Sequence, residues 1–126
     1  MSVMRTLTVK QPYAQAIVLG HKTREYRSWA TAHRDYLLIH AGKSRDSMGE
    51  AGDYPDIPPD AYVFGALVGC CRVEACYRYA GGWAWALVDA FEFDRPLPMS
   101  GNVGLWSVPL TEAVREALAA GGIELD

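Results

Sequence analysis

Apolar and polar positions alternate in VMRTLTV, which predicts a strand near the start of the chain. The pattern then changes period. QPYAQAIVLGHK has Pro12 in its first turn, then Ala, Gln, Ile and Leu as helix formers, and Gly20 as the C-cap. A helix of about two to three turns is expected there. TREYRSW returns to period two, with Thr23, Glu25, Arg27 and Trp29 on one face and Arg24, Tyr26 and Ser28 on the other. The second group is expected in solvent or in a packed rim. RDYLLIHA is a further strand, and its run of Leu37, Leu38 and Ile39 implies burial on both faces.

From Gly42 to Ala61 the chain holds three Gly, three Pro and five Asp or Glu. This predicts a long loop with one helical turn near Ser44 to Ala51. Loops longer than about 12 to 15 residues tend to be functional or mobile, and this one either covers a cleft or shields an edge strand. YVFGALVGCCRVEACYRY and WAWALVDAFEFDRPLP read as strands, the first bulged at Gly65 or Gly69, and NVGLWSV closes the series. After Pro109, LTEAVREALAAGG predicts a helix capped by Thr111 and by Gly121 or Gly122, with Ala113, Val114, Ala117 and Leu118 as its buried stripe.

Six strands, one early helix, one late helix and no βαβ rhythm predict a small mixed barrel of the α+β class. The 126 residues, half of them apolar, suit one domain with its own core, so residues 1–126 are read as a single domain. No apolar run of about 18 residues occurs, and the opening MSVMRTLTVK lacks the features of a secretory signal. A cytoplasmic protein without membrane association is expected. Cys70, Cys71 and Cys76 all lie in one predicted strand, with 70 and 76 facing one way and 71 the other. They lack C-x-x-C spacing and a neighbouring histidine, so they read as small buried side chains and not as a disulfide framework or metal site.

Charge changes the picture. The net charge is −3, which argues against nonspecific coating of nucleic acid. Residues 1–46 nevertheless carry eight Lys or Arg against three acids, and residues 47–126 carry four against twelve. A basic site on the N-terminal third of an acidic body is expected, and the acidic remainder favours a short or single-nucleotide ligand over a long polyanion.

LTVKQPYAQAIVLGHKTREYRSW followed by YLLIHAGK resembles the start of an ASCH domain, the activating-signal-cointegrator homology domain, a PUA-like β-barrel. The family signature G-x-K-x-x-E-x-R stands here as Gly20, Lys22, Glu25 and Arg27, and a Gln-Pro-aromatic motif precedes it as Gln11, Pro12 and Tyr13. The resemblance spans roughly residues 5–108 and leaves the C-terminal helix outside. It implies a barrel with a cleft between its first helix and its strands, in a superfamily whose relatives bind RNA and modified bases.

The residues make chemical sense of that implication. Arg27 offers a planar fork for phosphate, carboxylate or a base edge, and Lys22 adds a point charge. Glu25 either holds Arg27 in place or accepts from a base amino group. Lys10 adds charge, Gln11 reads polar edges, and Tyr13, Trp29 and Trp85 supply stacking faces. Against this, Glu25 with Arg27 also reads as an internal ion pair, and the Trp residues as core, Trp106 above all. His40 reads either as a satisfied core residue or as a cleft group that moves protons. His21 and His33 are expected at the surface.

Two functions remain open. The first is a module binding RNA or a modified nucleotide, with no cofactor and no metal. The second is a metal-independent hydrolase acting on a nucleoside or RNA, with Lys22, Glu25, Thr23 and His40 as its catalytic set. Relatives similar to N4-acetylcytidine amidohydrolases place a threonine nucleophile where this chain has Glu25. Thr23 lies two residues away, and Glu74 is the one candidate for their second carboxylate. A protein-interaction domain is a third class, without an anchor motif to support it.

Overall fold

The computed structural model describes residues 2–125, so Met1 and Asp126 of the expected 1–126 unit lie outside the described residues. The predicted strands and helices all form. β1 (Val3–Val9) leads into the short helix α1 (Tyr13–Val18), then β2 (Arg24–Arg27) and β3 (Tyr36–Ala41). Two 3-10 turns, Met48–Asp53 and Pro59–Ala61, precede the long strands β4 (Ala66–Tyr79) and β5 (Gly82–Pro98). β6 (Leu105–Pro109) and α2 (Glu112–Ala120) complete the chain's order.

The strands form one mixed sheet in the order β2-β5-β4-β3-β1-β6, with β1 and β3 parallel and every other pair antiparallel. Register shifts in β4–β5, at Leu67/Gly69, Cys70/Arg72 and Val73/Ala75, make these strands curl instead of running flat. The curl brings edge strand β2 back towards β1. Pairing of β6 with β1 stops at Leu7, and one residue later the Thr8 carbonyl accepts from the Arg27 guanidinium at 2.9 Å. A side chain thus bridges the seam of the barrel where backbone pairing does not.

Each side of the sheet has its own core. Leu7, Ile17, Leu37, Ile39, Cys71 and Trp85 belong to the cluster under α1, and Leu38, Leu67, Cys70, Phe93, Val114 and Leu118 to the cluster under α2. The Leu37–Leu38–Ile39 run is wholly buried because β3 lies inside the sheet with a core on each face. A small third cluster, Ala16, Ile57 and Tyr62, anchors the 42–61 segment against α1.

Several expectations change. α1 is only six residues long, with Leu19 at its C-cap and Gly20 one residue later at φ 80°. Cys76 packs with the Cys71 cluster and not with Cys70, because the irregularity at Val73/Ala75 flips the alternation. In α2, Thr111 caps the helix by accepting from the Val114 N–H at 3.3 Å, and Val114 and Leu118 are buried, but Ala113 faces solvent. The helical turn expected near 44–51 is a 3-10 turn starting at Met48. Trp106, assigned to the core, is half-buried. No helix among the described residues is long and apolar enough to cross a membrane.

Candidate nucleic-acid interface

A cleft of about 930 Å³ opens along the seam between β1 and β2. β1 and its continuation supply Thr8, Val9 and Lys10, and α1 supplies Tyr13. The β2 segment supplies Lys22, Glu25, Tyr26, Arg27, Ser28 and Trp29. The turns after β3 and before β6 add Gly42, Lys43 and Ser44, and Asn102, Val103 and Gly104. Four cations and one carboxylate line it.

The carboxylate organises the two central cations. Glu25 Oε2 accepts from Arg27 Nε at 3.0 Å and from Arg27 Nη2 at 2.8 Å, and Lys22 Nζ stands 3.8 Å from Glu25 Oε1. The side chains are 9% exposed for Glu25, 13% for Lys22 and 24% for Arg27, so solvent weakens their attraction far less than at an open surface. Alternation along β2 creates the arrangement, since Glu25 and Arg27 share its inner face.

Lys22 Nζ lies 4.8 Å from the Tyr26 ring centre and 5.3 Å from that of Tyr13, within cation–π range of both. Burial lowers the pKa of its ammonium; Glu25 pulls the other way, and Arg27 adds to the lowering. Tyr13 meets Tyr54 edge-on at 6.4 Å. Burial first, then nearby Glu50, pushes the Tyr13 phenol up to about 12, which keeps it a neutral donor. Lys10 sits at the rim, 4.0 Å from Asp46 with both side chains well exposed.

The remaining expected site residues are placed otherwise. Gln11 is wholly buried: its Nε2 donates to the Val63 carbonyl at 2.9 Å and its Oε1 accepts from the Gln15 N–H at 2.9 Å. It braces α1 and has no edge free to read a base. Pro12 is buried beside it. Trp85 is 0% exposed, meets Trp29 edge-on at 4.8 Å and donates to the Trp29 carbonyl at 3.2 Å. It supports Trp29 from behind and offers no face to a ligand.

His40 is also core. Its Nε2 lies 2.8 Å from the Met99 carbonyl, which only accepts, so Nε2 carries the proton and Nδ1 accepts from the Thr8 hydroxyl at 3.3 Å. Thr8 Oγ1 in turn accepts from Trp106 Nε1 at 3.1 Å. Burial lowers the His40 pKa; the Met99 bond opposes this and Lys43 reinforces it. The chain Trp106–Thr8–His40–Met99 ties the segment after β5 to the barrel, and of its members only Thr8 lines the cleft.

Thr23 is exposed and stands outside the cleft walls, and Glu74 is exposed on β4. The geometry therefore joins Lys22 and Glu25 but brings neither Thr23 nor His40 to them. His33, expected at the surface, is half-buried with Nε2 at 2.9 Å from the Tyr36 carbonyl. Sequence reasoning missed Tyr26 as a cleft residue, along with Lys43, Ser44 and the 102–104 turn. Alternation does put Tyr26 on the face opposite Glu25, and it borders the cleft because β2 is the edge strand at the seam.

A curled α+β sheet with a cation-lined seam defines the class, and comparison with known proteins agrees. The ASCH domain family profile matches residues 7–96, and the chain belongs to that family. Over 80 residues it is 35% identical to activating signal cointegrator 1 of Homo sapiens and, equally, to that of Mus musculus. The match covers 56% of this chain but 14% of either relative. The crystal structure of ASCH from Zymomonas mobilis superposes with a TM-score of 0.56 over 93% of this chain and 94% of that one, at 16% identity. That similarity is one of fold.

Proposed function

We propose that the seam cleft binds a nucleotide unit of RNA, with Lys22 and Arg27 meeting phosphate and Tyr13, Tyr26 and Trp29 contacting the base. The observation that supports it most is the Lys22–Glu25–Arg27 triad standing beside two tyrosine rings in an open groove. Glu25 satisfies one positive charge of the two, so a net cation remains for an anionic ligand. Lys10 and Lys43 extend the positive field along the rim. The PUA-like fold of the family to which the chain belongs is generally linked to RNA binding, which supports the same reading.

The test is a titration with a nucleoside monophosphate, followed residue by residue by amide NMR shifts. Perturbations centred on Tyr13, Lys22 and Arg27, with affinity reduced about tenfold in Lys22→Ala or Arg27→Ala, are expected. Unchanged affinity in both variants would remove the reading.

A further inference from the structure

Beyond the cleft, the hairpin joining β4 to β5 carries a second aromatic surface. Tyr26 is 49% exposed and Tyr79 is 53% exposed, and their rings stack at 5.1 Å with 30° between planes. Tyr77, on the same face of β4 as Tyr79, accepts from Arg24 Nε at 2.6 Å. Large rings are normally spent on burial, so three tyrosines left in solvent on one sheet face need a reason.

The hairpin is tightly turned. Ala80 and Gly81, at φ 49° and 80°, form a two-residue turn with both centres left-handed, the geometry that matches strand twist. A Cβ on Gly82 would stand 2.8 Å from the Arg27 carbonyl, so the absence of one lets the hairpin lie against the end of β2. On the opposite face of the hairpin, Arg78 places its guanidinium 5.3 Å from the Trp83 ring centre.

The surface is also continuous with the cleft. A shallow depression of about 440 Å³ between Tyr26, Tyr79 and the 80–82 turn shares Tyr26, Arg27 and Ser28 with the main groove. Charge favours the same ligand in both. Between Glu74 and Asp89 the chain has no acid, and Arg24 and Arg78 are the hairpin region's exposed charges. At the other end of the long strands, Glu92 and Asp94 share a depression with Asp60. The aromatic, basic end is the one that adjoins the seam.

Resting on the nucleotide reading of the cleft, we propose that Tyr79, its exposed ring braced by Tyr26, is a second stacking subsite for the base next to the one held in the cleft. The ligand is then a single strand of several nucleotides, not an isolated one, despite the acidic body. Stacking on an exposed ring with a guanidinium nearby is the chemistry by which single strands are held without sequence reading. A folded protein partner is the competing occupant. Arg24, hydrogen-bonded to Tyr77 on the tyrosine face, together with direct continuity with a cation-lined groove, favours the polyanion.

The experiment compares uridine monophosphate with a hexauridylate on wild type, Tyr79→Ala, Tyr79→Phe and Lys22→Ala. Wild type should bind the hexanucleotide more tightly than the monophosphate, Tyr79→Ala should lose about tenfold on the hexanucleotide alone, and Tyr79→Phe should retain it. Lys22→Ala should weaken both ligands. A hexanucleotide advantage that survives Tyr79→Ala, or that is absent in wild type, overturns the second subsite while leaving the cleft intact. Equal loss in Tyr79→Phe and Tyr79→Ala overturns stacking as its basis. Indifference of both ligands to Lys22→Ala instead counts against the cleft itself.

Discussion

Arg27 is bound twice by one oxygen of Glu25, through Nε at 3.0 Å and Nη2 at 2.8 Å, while Nη2 also reaches the Thr8 carbonyl at 2.9 Å. The guanidinium therefore closes the barrel seam with the same atoms that define the cleft. Fold and site share this contact. Glu25→Ala leaves Lys22 and Arg27 close together without their shared carboxylate, and removing one partner of a largely buried pair costs about 3 kcal/mol. Urea unfolding of Glu25→Ala should show a loss of that order. A loss below about 0.5 kcal/mol, the level of ordinary surface substitutions, would mean that the pair does not hold the seam.

Lys22 has a pKa below the ordinary 10.5, chiefly through burial. As pH rises it loses its charge earlier than a solvated lysine does. Affinity for a nucleoside monophosphate should therefore fall with rising pH below 10.5, and this step should be absent in Lys22→Arg, whose charge persists. Calorimetric titrations across the alkaline range measure it. A Lys22→Arg profile superimposable on wild type contradicts the assignment.

His40 has a pKa below the ordinary 6.5, burial being the main cause. Between its folded pKa and 6.5 the unfolded chain binds more protons than the folded one, so stability rises with pH there and is lost as pH falls. The contribution is fully present above 6.5. Denaturant midpoints below that pH should drop more steeply in wild type than in His40→Gln, which titrates nothing. Equal slopes would show that His40 does not contribute.

A Cβ at Gly101 would lie 2.7 Å from His40 Cε1 and 2.8 Å from both His40 Nδ1 and Thr8 Oγ1. The turn that carries Asn102 and Val103 into the cleft thus rests directly on the His40–Thr8 pair. Gly101→Ala should cost about 1 to 3 kcal/mol as an overpacking change and weaken ligand binding through the displaced wall. Thermal unfolding together with the monophosphate titration reports both effects. Wild-type values in both would mean that the contact yields freely.

Much of the fold could be read in the chain because its signals are local. Alternation marked Val3–Val9, the all-apolar Leu37–Ile39 run marked an interior strand, and Thr111 marked the start of α2. Alternation also put Glu25 and Arg27 on one face, where the structure has them in contact. What escaped depends on geometry that no local pattern encodes. The Val73/Ala75 irregularity moved Cys76 to the other core, and the curl of the sheet brought the exposed Tyr26 to the edge of the cleft while sealing Trp85 behind it. Gln11 and His40 are polar by type, but both are consumed by internal hydrogen bonds whose partners lie 52 and 59 residues away.

The most direct test of the central claim is a fluorescence-anisotropy titration of the protein with a short single-stranded RNA over a range of salt concentrations. Each phosphate neutralised on a single strand contributes about −0.7 to the slope of log affinity against log salt. Lys22, Arg27 and their rim neighbours predict a slope of about −1.5 to −3 on that basis, made shallower by about 0.7 in Lys22→Ala. Absence of binding at every salt concentration, or binding indifferent to salt, would contradict the account.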